Sequence, residues 1–184
     1  MKIRLTPQLA YVIGLWKCRR SKEGIGIEGG SYVLEAFVAE LVSSGVAKPN
    51  EIKMEETKAY TYHTAYRAFF DSILKREDEV FKYNNDYSAS FFAGLFDAVG
   101  GERAGKPYLA RADNVDEVVL LRLNFRVVRT GRILWIGPAG MFMAWIRPYR
   151  KVEFPVKPEV ATARSSRGKV ERRPRRIYPT PPPK

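Results

Sequence analysis

The placing of small residues constrains this chain more than any other feature. In TPQLAYVIGLWKCRR (6–20), Ala10, Gly14 and Cys18 recur every four positions; in DYSASFFAGLFDAVGG (86–101), Ser90, Gly94 and Ala98 do the same, 80 positions later. Residues four apart share a helix face, so each segment, read as a helix, carries a strip almost bare of side chains. A glycine inside a helix costs about 1 kcal/mol relative to alanine. Two of them in matching places therefore point to backbones that must approach closely. Both segments also carry start signals, Thr6 followed by Pro7 in the first and Asp86 as the expected N-cap of the second.

The rest of the chain repeats in the same order. Tyr32–Ser43 has a helical apolar period through Val33, Phe37 and Leu41, and Asp116–Leu123 is its counterpart. Glu51–Glu55 pairs with Phe125–Arg129, and Tyr60–His63 with Ile133–Ile136, all read as strands. Ala65–Leu74 and Met141–Tyr149 are matching aromatic-rich helices, Gly105–Ala112 adds a strand early in the second copy, and Arg129–Arg132 is a hairpin turning on Gly131. Repeated order at a fixed spacing is the mark of duplication. The reading is α+β, with a first repeat over residues 1–82, a second over 83–150 and a tail over 151–184. The tail holds seven prolines and few core-forming residues. It cannot bury enough apolar surface to offset its ordering entropy, so an extended basic arm is expected.

Charge follows the same divisions. Residues 1–100 hold 13 Lys+Arg and 13 Asp+Glu, residues 101–150 hold 9 and 4, and residues 151–184 hold 10 and 3. The formal charge of +12 therefore sits in the last 84 residues, mostly as arginine, whose planar fork of donors suits phosphate. That is the electrostatic footprint of a polyanion partner. Other classes recede. There is no run of about 18 apolar residues to span a membrane. Cys18 alone excludes an internal disulfide, and His63 as the only histidine leaves no Cys/His zinc cluster. Met1–Thr6 lacks a signal-peptide pattern, so a cytoplasmic protein without a cofactor is expected.

FAGLFDAVGG (92–101) resembles the motif that names the LAGLIDADG homing endonucleases, and VIGLWKCRR (12–20) resembles the partner motif of a single-chain, two-repeat member. The resemblance spans about residues 6–150. It implies a pseudo-twofold duplicated domain, with two central motif helices packed through their small residues and saddle-shaped sheets over a duplex. It also implies that the eighth letter of each motif is an acid binding divalent metal for phosphodiester hydrolysis. Those positions are Arg19 and Val99 here. Magnesium takes hard oxygen ligands, which valine lacks, and a protonated arginine repels the ion. Asp97, at the sixth letter, reads as a local polar contact opposite in sign to Lys17. Glu23 and Glu102, just past the helix ends, are the acids that could stand in. The implied protein is no enzyme, and Arg19 is left to touch phosphate.

Two groups of contact residues follow. Arg103, Lys106, Arg111, Arg126, Arg129 and Arg132 lie on or beside the second half's strands, although Arg126 and Arg129 should point to opposite faces of a regular strand. Arg164, Arg167, Lys169, Arg172, Arg173, Arg175, Arg176 and Tyr178 form the tail group, the tyrosine as a base-stacking candidate. Trp16, Phe37, Phe69, Phe70, Phe91, Phe92, Trp135 and Trp145 read as core, Cys18 as inert packing, and His63 as structural or surface. A compact domain with an Arg/Pro arm has the form of a protein that threads between rRNA helices. The leading expectation is therefore a non-catalytic RNA-binding protein in an archaeal-type cytoplasm, partnered by rRNA and ribosomal proteins. A DNA-binding regulator on the same scaffold is the alternative, ahead of an active endonuclease or a splicing cofactor. With two repeats in one chain, a monomer suffices.

Overall fold

The computed structural model describes residues 3–152. In chain order its elements are α1 (Pro7–Arg19), β1 (Ile25–Glu28), α2 (Ser31–Ser43), β2 (Ile52–Met54), β3 (Lys58–Thr61) and α3 (Thr64–Leu74). A short α4 (Glu77–Val80) precedes α5 (Asp86–Val99), β4 (Gly100–Arg103), β5 (Lys106–Ala110), α6 (Asn114–Arg122), β6 (Arg126–Thr130), β7 (Ile133–Gly137) and α7 (Ala139–Ile146). The order of the first half recurs in the second. The sequence reading gave no bounds to strands β1 and β4 or to helix α4, each four residues long.

Helix α1 starts where Thr6 Oγ1 accepts the Leu9 N–H at 3.2 Å, with Pro7 in the first turn. Helix α5 differs from expectation. Its cap is Asn85, whose Oδ1 accepts from the N–H groups of Tyr87 and Ser88, while the Ser88 hydroxyl accepts the Asn85 N–H in a reciprocal box. Asp86 is the first helical residue, where its charge suits the positive end of the helix dipole.

The bare strips meet. A Cβ on Gly14 would collide with the Phe91 carbonyl oxygen and stand 3.0 Å from the Leu95 nitrogen; one on Gly94 would collide with the Tyr11 carbonyl oxygen and stand 3.0 Å from the Leu15 nitrogen. The two helices are therefore in backbone contact at the centre of the core, running side by side so that both C-termini end together. Trp16, Phe70, Phe81, Phe91, Phe92 and Phe142 fill the space around them, fully buried.

Each half adds an antiparallel sheet, with order β1-β3-β2 in the first and β4-β5-β7-β6 in the second. The period of two is plain in the second sheet. Leu109, Leu134 and Ile136 are buried against the core, whereas Lys106, Tyr108, Trp135, Arg126 and Val128 alternate with core-facing positions on the other face. Strand β3 ends at Thr61, earlier than expected. His63 leaves the sheet to cap α3, its Nδ1 accepting the Tyr66 N–H at 3.5 Å and its ring meeting Tyr66 edge-on. Among the described residues no helix is long and apolar enough to cross a membrane.

Lys151 and Val152, expected to open the tail, are tied to the folded unit by Asp97. Its carboxylate is 0% exposed and accepts from Arg150 Nε at 2.7 Å, Lys151 N at 2.8 Å, Val152 N at 3.0 Å and the Tyr11 hydroxyl at 3.0 Å. Asp97 is thus a long-range anchor and not the local contact the sequence suggested.

Candidate nucleic-acid interface

Register decides which side chains share the outer face of the second sheet. Gly101 pairs with Tyr108, Tyr108 with Trp135, and Trp135 with Val128, which forms one cross-strand row. Arg103, Lys106 and Arg126 lie at even spacing from that row, on the same side. Arg103, Lys106, Arg126, Val128 and Trp135 line a cleft of about 560 Å3. No carboxylate is among its lining residues. Val128 is 63% exposed, unusual for a strand valine, and the Tyr108 and Trp135 rings pack 5.4 Å apart. Trp135 was read as core because its stretch is apolar. The alternation Leu134-in, Trp135-out, Ile136-in was the signal that would have placed it correctly.

Arg129 faces the other way. Its Nε bonds Glu117 at 2.7 Å, and its two terminal nitrogens donate to the carbonyls of Ala112 and Asp113 at 2.9 and 2.8 Å. The guanidinium clamps the α6 N-terminus to β6 and is spent on structure. Arg132 is exposed in the β6–β7 turn, where its carbonyl accepts the Arg111 N–H at 2.9 Å. The outer face of the first sheet is nearly neutral by comparison. Lys58 stands between Glu23 at 2.8 Å and Glu55 at 3.4 Å, and Tyr60 donates to Glu55. Residues Arg164, Arg167, Lys169, Arg172, Arg173, Arg175, Arg176 and Tyr178 lie outside the described residues.

Arg111 does not join the sheet group either. It lines a second cleft, of about 420 Å3, with Arg19 and Arg20 at the C-terminal end of α1. Arg19 Nε donates to the Ala98 carbonyl at 2.6 Å and Nη1 to the Glu28 carbonyl at 3.4 Å. The first bond crosses from one central helix to the last turn of the other. Two helix C-termini concentrate partial negative charge, so a cation there is favoured. Burial, and then the nearby Arg111, lower the pKa of Arg19 below its ordinary value. Arg20 is committed elsewhere, stacked over Trp16 at 3.9 Å and paired with Asp71 at 3.0 Å.

The residues do not fit a hydrolytic metal at the helix ends. Val99 packs against the core, and Arg19 places a cation there. Glu23 is tied to Lys58, while Glu102 lines a depression beside Ala139, Gly140 and Met143 on the helix side of its sheet. Among the described residues, Glu77, Asp113 and Asp116 alone bring three metal-type ligand atoms together. Lys17 already occupies that cluster, with Nζ at 2.7, 3.0 and 2.9 Å from the three acids. Burial first, and then Asp116, push the Glu77 carboxyl up to about 8. Burial likewise pushes the Cys18 thiol up to about 12, which leaves it unreactive, as packing requires.

No family model and no curated protein matches this chain. Solved structures do. Variants of the homing endonuclease I-DmoI superpose with a TM-score of 0.58 at 16% identity, over 76% of this chain and 94% of that one. An I-DmoI variant in complex with its target DNA in the presence of magnesium gives 0.58 at 17%, over 77% and 96%. I-DmoI in complex with DNA and calcium gives 0.55 at 15%, over 78% and 88%. With its helices and two antiparallel sheets, the chain has the α+β fold of the LAGLIDADG homing endonucleases.

Proposed function

We propose that this chain binds double-stranded DNA through the outer face of its second sheet and does not cleave it. The observation that carries the reading is the composition of the larger cleft: Arg103, Lys106 and Arg126 around Trp135 and Val128, with no opposing acid. Cations supply the phosphate contacts that dominate affinity, and an apolar lining suits sugars and base edges. Proteins of the same fold in complex with DNA support a duplex target. Structured RNA, and with it a ribosomal place, rested on tail arginines outside the described residues, so DNA is the better-supported partner. The recurrent element order supports a single-chain, two-repeat arrangement that acts as a monomer. Arg19 and Val99 support the absence of cleavage, since neither can ligate magnesium.

The test uses the full chain in EDTA, with duplex DNA of random sequence and with structured RNA as competing ligands. Duplex binding should fall steeply with salt and weaken several-fold when Arg103, Lys106 and Arg126 are replaced by alanine. Undiminished binding by that triple variant, with RNA preferred, would move the interface to the tail. Strand scission on adding Mg2+ or Mn2+ would overturn the non-cleaving reading.

A further inference from the structure

We propose that the smaller cleft, at the C-terminal end of α1, is a metal-free phosphate subsite formed by Arg19 and Arg111. This deepens the preceding reading and rests on it for the source of the phosphate, the backbone of a bound nucleic acid.

Arg19 is held before any ligand arrives. Its bonds to the Ala98 and Glu28 carbonyls use Nε and Nη1, and Nη2 makes no bond among the described residues. One end of the fork is pinned, and the residue lines the cleft. Arg111 comes from the opposite half of the chain. Its backbone sits in the left-handed region at φ 65°, fixed by its N–H to the Arg132 carbonyl, and its side chain forms no ion pair among the described residues. A non-glycine residue in that conformation carries strain, which persists where the surroundings over-determine it and often marks a functional position. Of the three arginines lining this small cleft, Arg20 is paired with Asp71, and Arg19 and Arg111 bond no carboxylate among the described residues. Glu28 is the only acid among the lining residues, and it meets Arg19 through its carbonyl. An anion between the two arginines relieves their repulsion, and the arginine fork matches the oxygens of a phosphate. The floor suits a close approach. Gly29 and Gly30 present bare backbone, and α2 begins there without a side-chain cap. The lone charge of a divalent ion would be repelled.

The experiment has two arms on the full chain. In the first, inorganic phosphate is titrated while the Nε–H signals of Arg19 and Arg111 are followed by NMR, with Arg76, an exposed ion-paired arginine, as the internal control. Both cleft signals should move together and saturate, and the Arg76 signal should not. In the second, duplex DNA affinity is measured in EDTA across salt for the native protein and for Arg111→Ala and Arg111→Glu. The salt slope should fall by about one for Arg111→Ala, affinity should drop several-fold and further for Arg111→Glu, and the unfolding midpoint should stay put. Absence of the NMR response, with an unchanged slope in Arg111→Ala, overturns the subsite while DNA binding by the native protein leaves the broader reading intact. A saturable phosphate response in a protein that binds no duplex does the reverse.

Discussion

Replacing Lys17 by methionine tests how the two halves are held together. Lys17 lies in the first motif helix, and Asp113 and Asp116 belong to the second half, with Glu77 between them in the chain. The side chains of Glu77 and Asp116 are 2% and 0% exposed. Methionine keeps most of the stem and removes the charge, which leaves two buried carboxylates facing each other. Removing one partner of a buried ion pair costs about 3–5 kcal/mol, a large share of the roughly 5–15 kcal/mol that holds a domain folded. The pH signature is specific. Glu77 rises from an ordinary 4.5 to about 8 on folding. A carboxyl raised in this way contributes stability that is full below its unfolded value and lost as pH climbs through its folded value. The native protein should therefore lose stability between pH 6 and pH 8. In Lys17→Met the penalty should be largest at pH 8, where no cation opposes the ionised pair, and smaller at pH 6, where the acids take up protons. Urea unfolding followed by the fluorescence of buried Trp16 reads both. A penalty under about 1 kcal/mol at pH 8, or one equal at the two pH values, would refute the reasoning.

Three further outcomes are expected. Gly94→Ala forces a methyl into the Tyr11 carbonyl, and the helix propensity gained is smaller than the overpacking cost; a net loss of about 2 kcal/mol is expected in urea unfolding. Asp97→Asn keeps the size but faces an amide N–H2 toward donors, so stability should fall by about 3 kcal/mol, with faster hydrogen exchange at Lys151 and Val152. Arg126→Ala and Arg129→Ala should separate cleanly, the first weakening DNA binding at unchanged stability and the second lowering the unfolding midpoint through the lost α6 clamp.

The parts of the fold legible in the sequence were those with a long period. The four-residue spacing around Gly14 and Gly94 gave both central helices, and it gave their close approach, because nothing but backbone contact explains two costly glycines in register. The short strands β1 and β4 were given no bounds, whereas β2 and β3, no longer than these, were read because the five-residue β6 and β7 repeat them. Site residues were legible by type, and strand parity already set Arg126 and Arg129 on opposite faces, but which face is open was not legible. Arg126 and Arg129 look alike in the sequence, yet strand parity sends one to the open face and the other to the carbonyls of Ala112 and Asp113. Arg111 could not be placed beside Arg19 at all, because that neighbourhood depends on how two halves 92 positions apart meet at the helix ends.

The motif positions answer to different constraints. Residues 17 and 97 are equivalent by the 80-residue offset and opposite in charge, yet both bind the segment that follows the last main helix of their own half: half-buried Lys17 holds Glu77 after α3, and buried Asp97 holds Arg150–Val152 after α7. The task is set by topology, so either sign serves if its partner is reversed too. Positions 19 and 99 obey a different constraint. Two converging helix C-termini favour positive charge, and Arg19 supplies it from its own side chain, held by its hydrogen bond to the Ala98 carbonyl. A guanidinium fixed there repels an external cation. The adjoining cleft then favours the phosphate oxygen directly.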